Sequence, residues 1–348
     1  HAVALGGHFV ERSTRLRYDT RVADVAAGRL VRSFACHWYW VVATAWTDNP
    51  WVGEVVADGG ADHAVKIWDA HGRGSTRCRP GQFLPADGAI AMLPEINGWI
   101  TSLAFSPDGR FLAGASRDRA IRIWQVEPGP AQWRVVALWW DEGARNFTSV
   151  AWSPDGRALA TGDRSGRVAV WGFDPVADRW DDATIEAFAR VWYQAQPSWF
   201  RRNASLTVRT PLWSDGGHGT VWTVRWSPDG TRLAASGADG RVAVYDAGTG
   251  TSLVRFAAPW THAFHGLDWT RDGRLVTAGG ADGRIYLFEP TSGALYDVLE
   301  GHADVVTAVG WSPDGRTLAS TAGGPLLSAE LAHTATGPDQ TLRFWTWR

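Results

Sequence analysis

Val305, Thr307, Val309 and Trp311 alternate with Val306, Ala308 and Gly310. Small or apolar side chains therefore fall on both faces of one extended segment. A period of two with both faces apolar predicts a strand packed on two sides. The segment ends at Ser312-Pro313-Asp314-Gly315. Pro presets φ at the second turn position, Asp suits the third, and Gly accepts the left-handed conformation that closes a short hairpin loop. Residues 317–321 read as the returning strand and residues 341–345 as a third.

The same pattern recurs along the chain. F-S-P-D-G-R starts at Phe105, W-S-P-D-G-R at Trp152, W-S-P-D-G-T at Trp226, W-T-R-D-G-R at Trp269 and W-S-P-D-G-R at Trp311. The closest copies lie 42 to 47 residues apart, the period of a four-stranded blade. Each is followed by a third strand ending in an aromatic: Trp124, Trp171, Tyr245, Phe288 and Trp345. Trp68-Asp69 closes a weaker copy and Tyr18-Asp19 a weaker one still. With the Gly301-His302 opening, these features resemble the WD-repeat β-propeller family over nearly the whole chain. A lone S-P-D-G turn would be a weak signal; five in register are a strong one. The resemblance implies an all-β fold, a seven-bladed β-propeller of four-stranded antiparallel blades, in one domain over residues 1–348.

The expected blades span about 1–36, 37–93, 94–138, 139–213, 214–257, 258–300 and 301–348. The first is expected to lack its innermost strand and the last its outermost. The chain begins at His1 rather than Met and reads as a fragment, since about 15–20 further residues would supply both strands. The Gly-, Pro- and Arg-rich stretch 71–88 reads as a surface loop. Insertions are expected at about 174–203 and 323–338. In the first, Asp181 or Asp182 caps a helix with Ile185, Phe188 and Trp192 on one face.

Composition removes several functions. A net charge of −2 and a pI near 6.6 supply no field for nucleic acid or an acidic membrane. No apolar run approaches the ~20 residues of a membrane span. Cys36 and Cys78 are too few for a disulfide framework and read as buried thiols. Lys66 is the sole lysine; with one Met and 23 Trp, that bias points to a GC-rich genome as much as to selection. Asn146-Phe147-Thr148 and Asn203-Ala204-Ser205 fit glycosylation sequons, a pattern that also arises by chance.

Candidate chemistry is thin. His262 and His265 stand three apart, so on a strand they point to opposite faces and do not share a metal. Gly248-Thr249-Gly250 lacks the third glycine of a dinucleotide loop, and Lys66 follows Val65 rather than the Gly of a P-loop. Asp181, Asp182 and Glu186 read as a solvated helix start. No cofactor and no metal are expected. Ser320, His302 and Asp339 would suit a nucleophile triad, but no G-x-S-x-G elbow surrounds Ser320. The family resemblance implies instead a structural relay of Trp345, Ser320, His302 and Asp339. Only the last blade carries all four; in the rest, packing is expected to replace the relay.

The resemblance also implies a binding face where strand one begins and the turn between strands two and three lies. Its positions, six and four before each strand-one aromatic and one before the turn Asp, give Trp40, Trp99, Thr101, Asn146, Thr148, Trp222, His265, Val305 and Thr307, with Arg117 and Arg164. Three Trp and two Arg have the composition of an interaction hot spot. The same Trp would also serve as packing over the blade ends. The expectation is a non-catalytic, cytoplasmic, monomeric ring that binds a protein or peptide partner. A regulatory module at the C-terminus of a kinase or NTPase is the alternative. An enzyme with a site at the central channel is a third reading, disfavoured because strand one supplies mainly Val, Thr, Ala and Trp.

Overall fold

The structure, a computed structural model, describes residues 2–10, 16–24, 29–35, 37, 41–71, 76–77, 89–93, 98–126, 133–141, 143–181, 183–184, 209–323 and 341–347. The first strands are β1 (Ala2–Val10), β2 (Leu16–Asp24), β3 (Arg29–Ala35), β4 (Val41–Asn49), β5 (Gly53–Gly60), β6 (Val65–Asp69), β7 (Thr76–Arg77) and β8 (Ala89–Leu93). They form two sheets, β1-β2-β3-β7 and β4-β5-β6-β8. The third sheet holds β9 (Ile100–Phe105), β10 (Phe111–Ser116), β11 (Ala120–Gln125) and β12 (Arg134–Trp140), and the fourth β13 (Phe147–Trp152), β14 (Ala158–Asp163), β15 (Val168–Gly172) and β16 (Trp213–Asp215). The fifth holds β17 (Val221–Trp226), β18 (Arg232–Gly237), β19 (Arg241–Asp246) and β20 (Ser252–Ala257). The sixth holds β21 (Phe264–Trp269), β22 (Val276–Gly280), β23 (Ile285–Phe288) and β24 (Leu295–Leu299), and the last β25 (Val306–Trp311), β26 (Thr317–Ala322) and β27 (Leu342–Thr346).

The chain is thus all-β and made of propeller-type blades: six four-stranded blades, where seven blades with an incomplete first and last were expected. The last sheet has three strands among the described residues. The first sheet also departs from expectation. Its fourth strand is β7, which lies parallel to β3 with Phe34 opposite Thr76 and Ala35 opposite Arg77. A two-residue strand has no period to detect, so the stretch around it reads as loop.

The repeated turn explains why the hairpins form. Ser106 Oγ donates to Asp108 Oδ1 at 2.5 Å and accepts the Phe111 N–H at 2.9 Å. Gly109 supplies φ 69°, a conformation that a Cβ disfavours. The same set recurs at Ser153, Ser227, Thr270 and Ser312.

By packing, the chain divides into two compact units, residues 1–159 with 172–210, and residues 160–171 with 211–348. In the first unit, β9 packs on β4 and β5 on one side and on β13 on the other. Gly59 lets β5 approach β9, since a Cβ there would lie 2.5 Å from Ile100 Cγ2. Val22, Phe34, Val56 and Trp68 form one core cluster, with Phe34 stacked on Trp68 at 5.0 Å. In the second unit, β21 packs on β17 and β25. Phe256, Phe264, Trp269, Tyr286 and Phe288 fill its main cluster. Each fully buried large side chain contributes about 1.5–3 kcal/mol of transfer free energy. Third strands carry that burial, whereas Leu295 and Tyr296 of the outer strand β24 are exposed.

The first expected insertion starts with its cap: Asp181 Oδ1 accepts the Thr184 N–H at 2.7 Å, and residues 183–184 are helical. Ile185, Phe188 and Trp192 lie outside the described residues, as do Cys36, Cys78 and residues 324–340.

Candidate functional site

The site begins with what fixes the loops at one end of the blades. In the last sheet Trp345 Nε1 donates to Ser320 Oγ at 2.8 Å, and Ser320 Oγ lies 2.8 Å from His302 Nε2. A hydroxyl that accepts from Trp donates its own proton onward. His302 Nε2 is then the acceptor, and Nδ1 faces Thr341 Oγ1 at 3.4 Å. Asp339 lies outside the described residues.

The other blades do not rely on packing alone, as the sequence suggests; they rebuild the relay with different groups. In the second, His37 sits between Asp58 Oδ1 (2.9 Å) and Asp62 Oδ1 (2.7 Å). Thr20 of the first sheet donates to Asp58 at 2.6 Å, and Lys66 to Asp62 at 3.2 Å. Burial is the largest single influence and opposes charge on His37. The Asp58 charge and the hydrogen bonds to Asp58 and Asp62 together outweigh it, so the pKa is raised. With Asp58 in place of a hydroxyl residue, Trp68 Nε1 meets no acceptor among the described residues.

The third blade has no His, and the buried Arg122 clamps Asp118 through two bonds of 2.6 and 3.2 Å. In the fourth, Trp171 Nε1 donates to Thr161 Oγ1 at 2.9 Å. The fifth replaces Trp with Tyr245, whose hydroxyl meets His218 and donates to Asp215 at 2.9 Å. In the sixth, Tyr286 donates to Asp282 at 2.5 Å. Apart from the Trp171–Thr161 bond, which joins β15 to β14, each network ties a buried strand to the loop that precedes its blade or to the turn after its second strand.

That anchoring has a repeated backbone consequence. Trp99 O accepts from Arg117 N (3.0 Å), Thr220 O from Ala238 N (2.9 Å), Ala263 O from Ala281 N (3.0 Å) and Val305 O from Gly323 N (3.1 Å). The residue six before the strand-one aromatic thus spends its carbonyl on the turn. Two residues later the first strand bulges. Val41 faces Gly60 and Ala43 faces Gly59, leaving Val42 extra. Thr101, Trp222 and Thr307 are extra in the same way, and His265 shares a two-residue bulge with Gly266. A bulge re-aims a side chain out of the regular alternation.

The expected site residues fall on this frame as follows. Trp99 lies under Arg117, whose guanidinium carbon is 3.8 Å from the ring centroid. Thr101 Oγ1 donates to Phe147 O at 2.7 Å, joining β9 to β13. Asn146 has φ 55°, and Thr148 is half-buried beside it on β13. In the second unit Trp222 stacks on His265 with centroids 5.2 Å apart and planes at 23°. Burial, with the nearby His262, lowers the His265 pKa to about 4, so the stacked ring is neutral. Trp222 Nε1 is buried and meets no acceptor among the described residues. Arg164 is half-buried, and its carbonyl accepts from Thr220 Oγ1 at 3.4 Å. Thr307 Oγ1 contacts Thr321 Oγ1 at 3.1 Å, and Val305 N donates to Asp304. Those two serve their own loop rather than a shared cluster. Trp40 lies outside the described residues.

Sequence reasoning missed Val42, 40% exposed, which counting four back from Trp46 would have found. It also missed Trp260, 58% exposed in the loop before β21, and the exposed Arg119 and Arg145. Among the described residues no cluster of three His, Cys, Asp or Glu is placed to hold a metal, and no helix is long and apolar enough to cross a membrane.

This frame of blades, turns and capped loops has known counterparts. The family model for the WD domain, G-beta repeat, matches residues 91–125, 142–172, 209–246, 253–289 and 293–346. The chain belongs to that family and is a WD-repeat protein. It is 32% identical over 76 residues to nuclear distribution protein PAC1-2 of Uncinocarpus reesii, a match covering 22% of this chain and 13% of that protein. It is 30% identical over 73 residues to nuclear distribution protein nudF 2 of Penicillium rubens (21% and 12%), and 37% over 81 residues to protein HIR1 of Yarrowia lipolytica (20% and 8%). The matched stretch is thus a small fraction of each relative's length.

Proposed function

We propose that this WD-repeat chain is a non-catalytic scaffold that binds a protein or peptide partner through the strand-entry end of its blades. One observation carries the reading: strand one bulges at the same position in sheet after sheet, at Val42, Thr101, Trp222, His265 and Thr307. A position that packed only the blade core would keep the regular pleat. The two stacks, Arg117 on Trp99 and Trp222 on His265, supply flat, preorganised contact surfaces of the kind that anchor interfaces. The relay residues then hold loops in place rather than perform chemistry. His302 Nε2 accepts from Ser320, but that hydroxyl is buried and also holds Trp345.

Selection from a displayed random-peptide library tests this. The purified chain enriches peptides whose affinity falls about tenfold or more with Trp222→Ala or Trp99→Ala, as for an interface anchor. Enriched peptides indifferent to both substitutions, with both variants folded, would place binding elsewhere.

A further inference from the structure

Among the described residues, three other than glycine occupy the left-handed region: His63 (φ 65°), Arg119 (φ 67°) and Asn146 (φ 55°). All three lie on loops of residues 1–159, at the end where the first strands bulge. His63 and Arg119 follow the turn Asp of their blades. In the fifth and sixth sheets that place is taken by Gly240 (φ 71°) and Gly283 (φ 84°). Glycine adopts this conformation freely, while a side chain holds it only against steric strain. A turn needed only to reverse the chain would keep glycine. Here strain is accepted and the head groups are delivered to solvent, since His63 and Arg119 are both exposed. Strained residues of this kind cluster at ligand clamps.

The loops of Arg119 and Asn146 adjoin one another. Arg117 N donates to Trp99 O, and Asp141 N donates to Arg119 O at 3.1 Å. The loop from Asp141 then carries the exposed Arg145 and the half-buried Asn146 into β13. Three carboxylates of residues 1–159 at this end are turned inward. Asp58 and Asp62 are taken by His37, Thr20 and Lys66, and Asp118 by Arg122. Asp141 Oδ1 accepts Gly143 N within its own loop; Glu142 lies outside the described residues. The exposed group beside the Arg117–Trp99 stack is a donor, Arg119. Arg119 makes no side-chain hydrogen bond or ion pair among the described residues.

We propose that this end binds an extended acidic segment of a partner protein. One of its carboxylates pairs with Arg119, and a neighbouring side chain lies on the Arg117–Trp99 stack. The proposal rests on the partner-binding reading above and names the chemistry of the partner. A net charge of −2 favours a short acidic segment over a nucleic acid, which would need a broad basic field.

The test is fluorescence anisotropy with a fluorescein-labelled decapeptide of Glu and Gly. Lys–Gly and phosphoserine–Gly decapeptides and a single-stranded oligothymidylate are run beside it. The Glu–Gly peptide binds, and binding weakens with salt. Arg119→Gly lowers its affinity about fivefold, as for an exposed ion pair, yet melts at the same or a higher temperature because the strain is relieved. A merely structural Arg119 would not separate those two readouts. Unchanged affinity in Arg119→Gly, or equal or tighter binding of any comparison probe, overturns the proposal. If the Glu–Gly peptide fails while library peptides sensitive to Trp222→Ala still bind, the acidic assignment falls and the partner-binding reading stands.

Discussion

Trp222 and His265 stack across two neighbouring sheets, with their centroids 5.2 Å apart. Both lie at the bulges of their strands, so two irregularities in separate sheets produce one contact. The imidazole pKa is lowered to about 4, first by burial and then by His262. Trp222→Ala uncovers the ring. Its pKa, followed by imidazole NMR chemical shifts, then rises toward the ordinary value of about 6.5. A value still near 4 would mean that Trp222 does not shield His265.

The pH dependence of stability has two limbs of opposite sign. His37 has a raised folded pKa, so its contribution is complete below the unfolded value of about 6.5 and is lost as pH rises through the folded value. His265 and His218 have lowered folded values. Their contribution is present above about 6.5 and is lost as pH falls; for His265 the loss to pH 4 is about 3 kcal/mol. Melting temperature against pH therefore falls on both sides of neutrality. Asp58→Asn removes the main attraction for the His37 proton and flattens the alkaline limb. An unaltered alkaline slope would show that His37 does not set it.

Arg122 and Asp118 form a buried pair whose side chains are 1% and 9% exposed. Arg122→Ala leaves a carboxylate without its cation and costs about 3–5 kcal/mol in urea unfolding. Removing both with Arg122→Met and Asp118→Ser costs less than the single change. A loss below about 1 kcal/mol for Arg122→Ala would show that the pair is not needed.

Ser320→Ala orphans the Trp345 N–H and costs about 1–3 kcal/mol, read by denaturant unfolding. Peptide affinity is unchanged by it at temperatures where the variant is folded. A loss of affinity without a loss of stability would move Ser320 from the scaffold to the binding surface.

The legible parts of this chain were the local ones. Ser106, Asp108 and Gly109 make their turn from contacts within five residues, so the sequence alone announces it. Strand alternation in β25 was visible for the same reason. The parallel strand β7 was hidden, because its pairing with Phe34 and Ala35 spans about forty residues and leaves no period. The bulges were hidden too, since one extra residue in a strand alters register without altering composition; Val42 was missed on that account. Arg122 stands at no repeat position that the sequence singles out, so its clamp on Asp118 emerges only from packing.

The central claim is that the bulge-bearing end of the blades is the partner-binding surface. Its most direct measurement is an NMR titration of the labelled chain with a library-selected peptide. For a peptide selected through Trp222, shifts concentrated at the amides of Trp222, His265 and Thr307 and at the Trp222 indole are the expected result. Shifts confined to the outer strands, around Leu253, Leu295 and Tyr296, would contradict it.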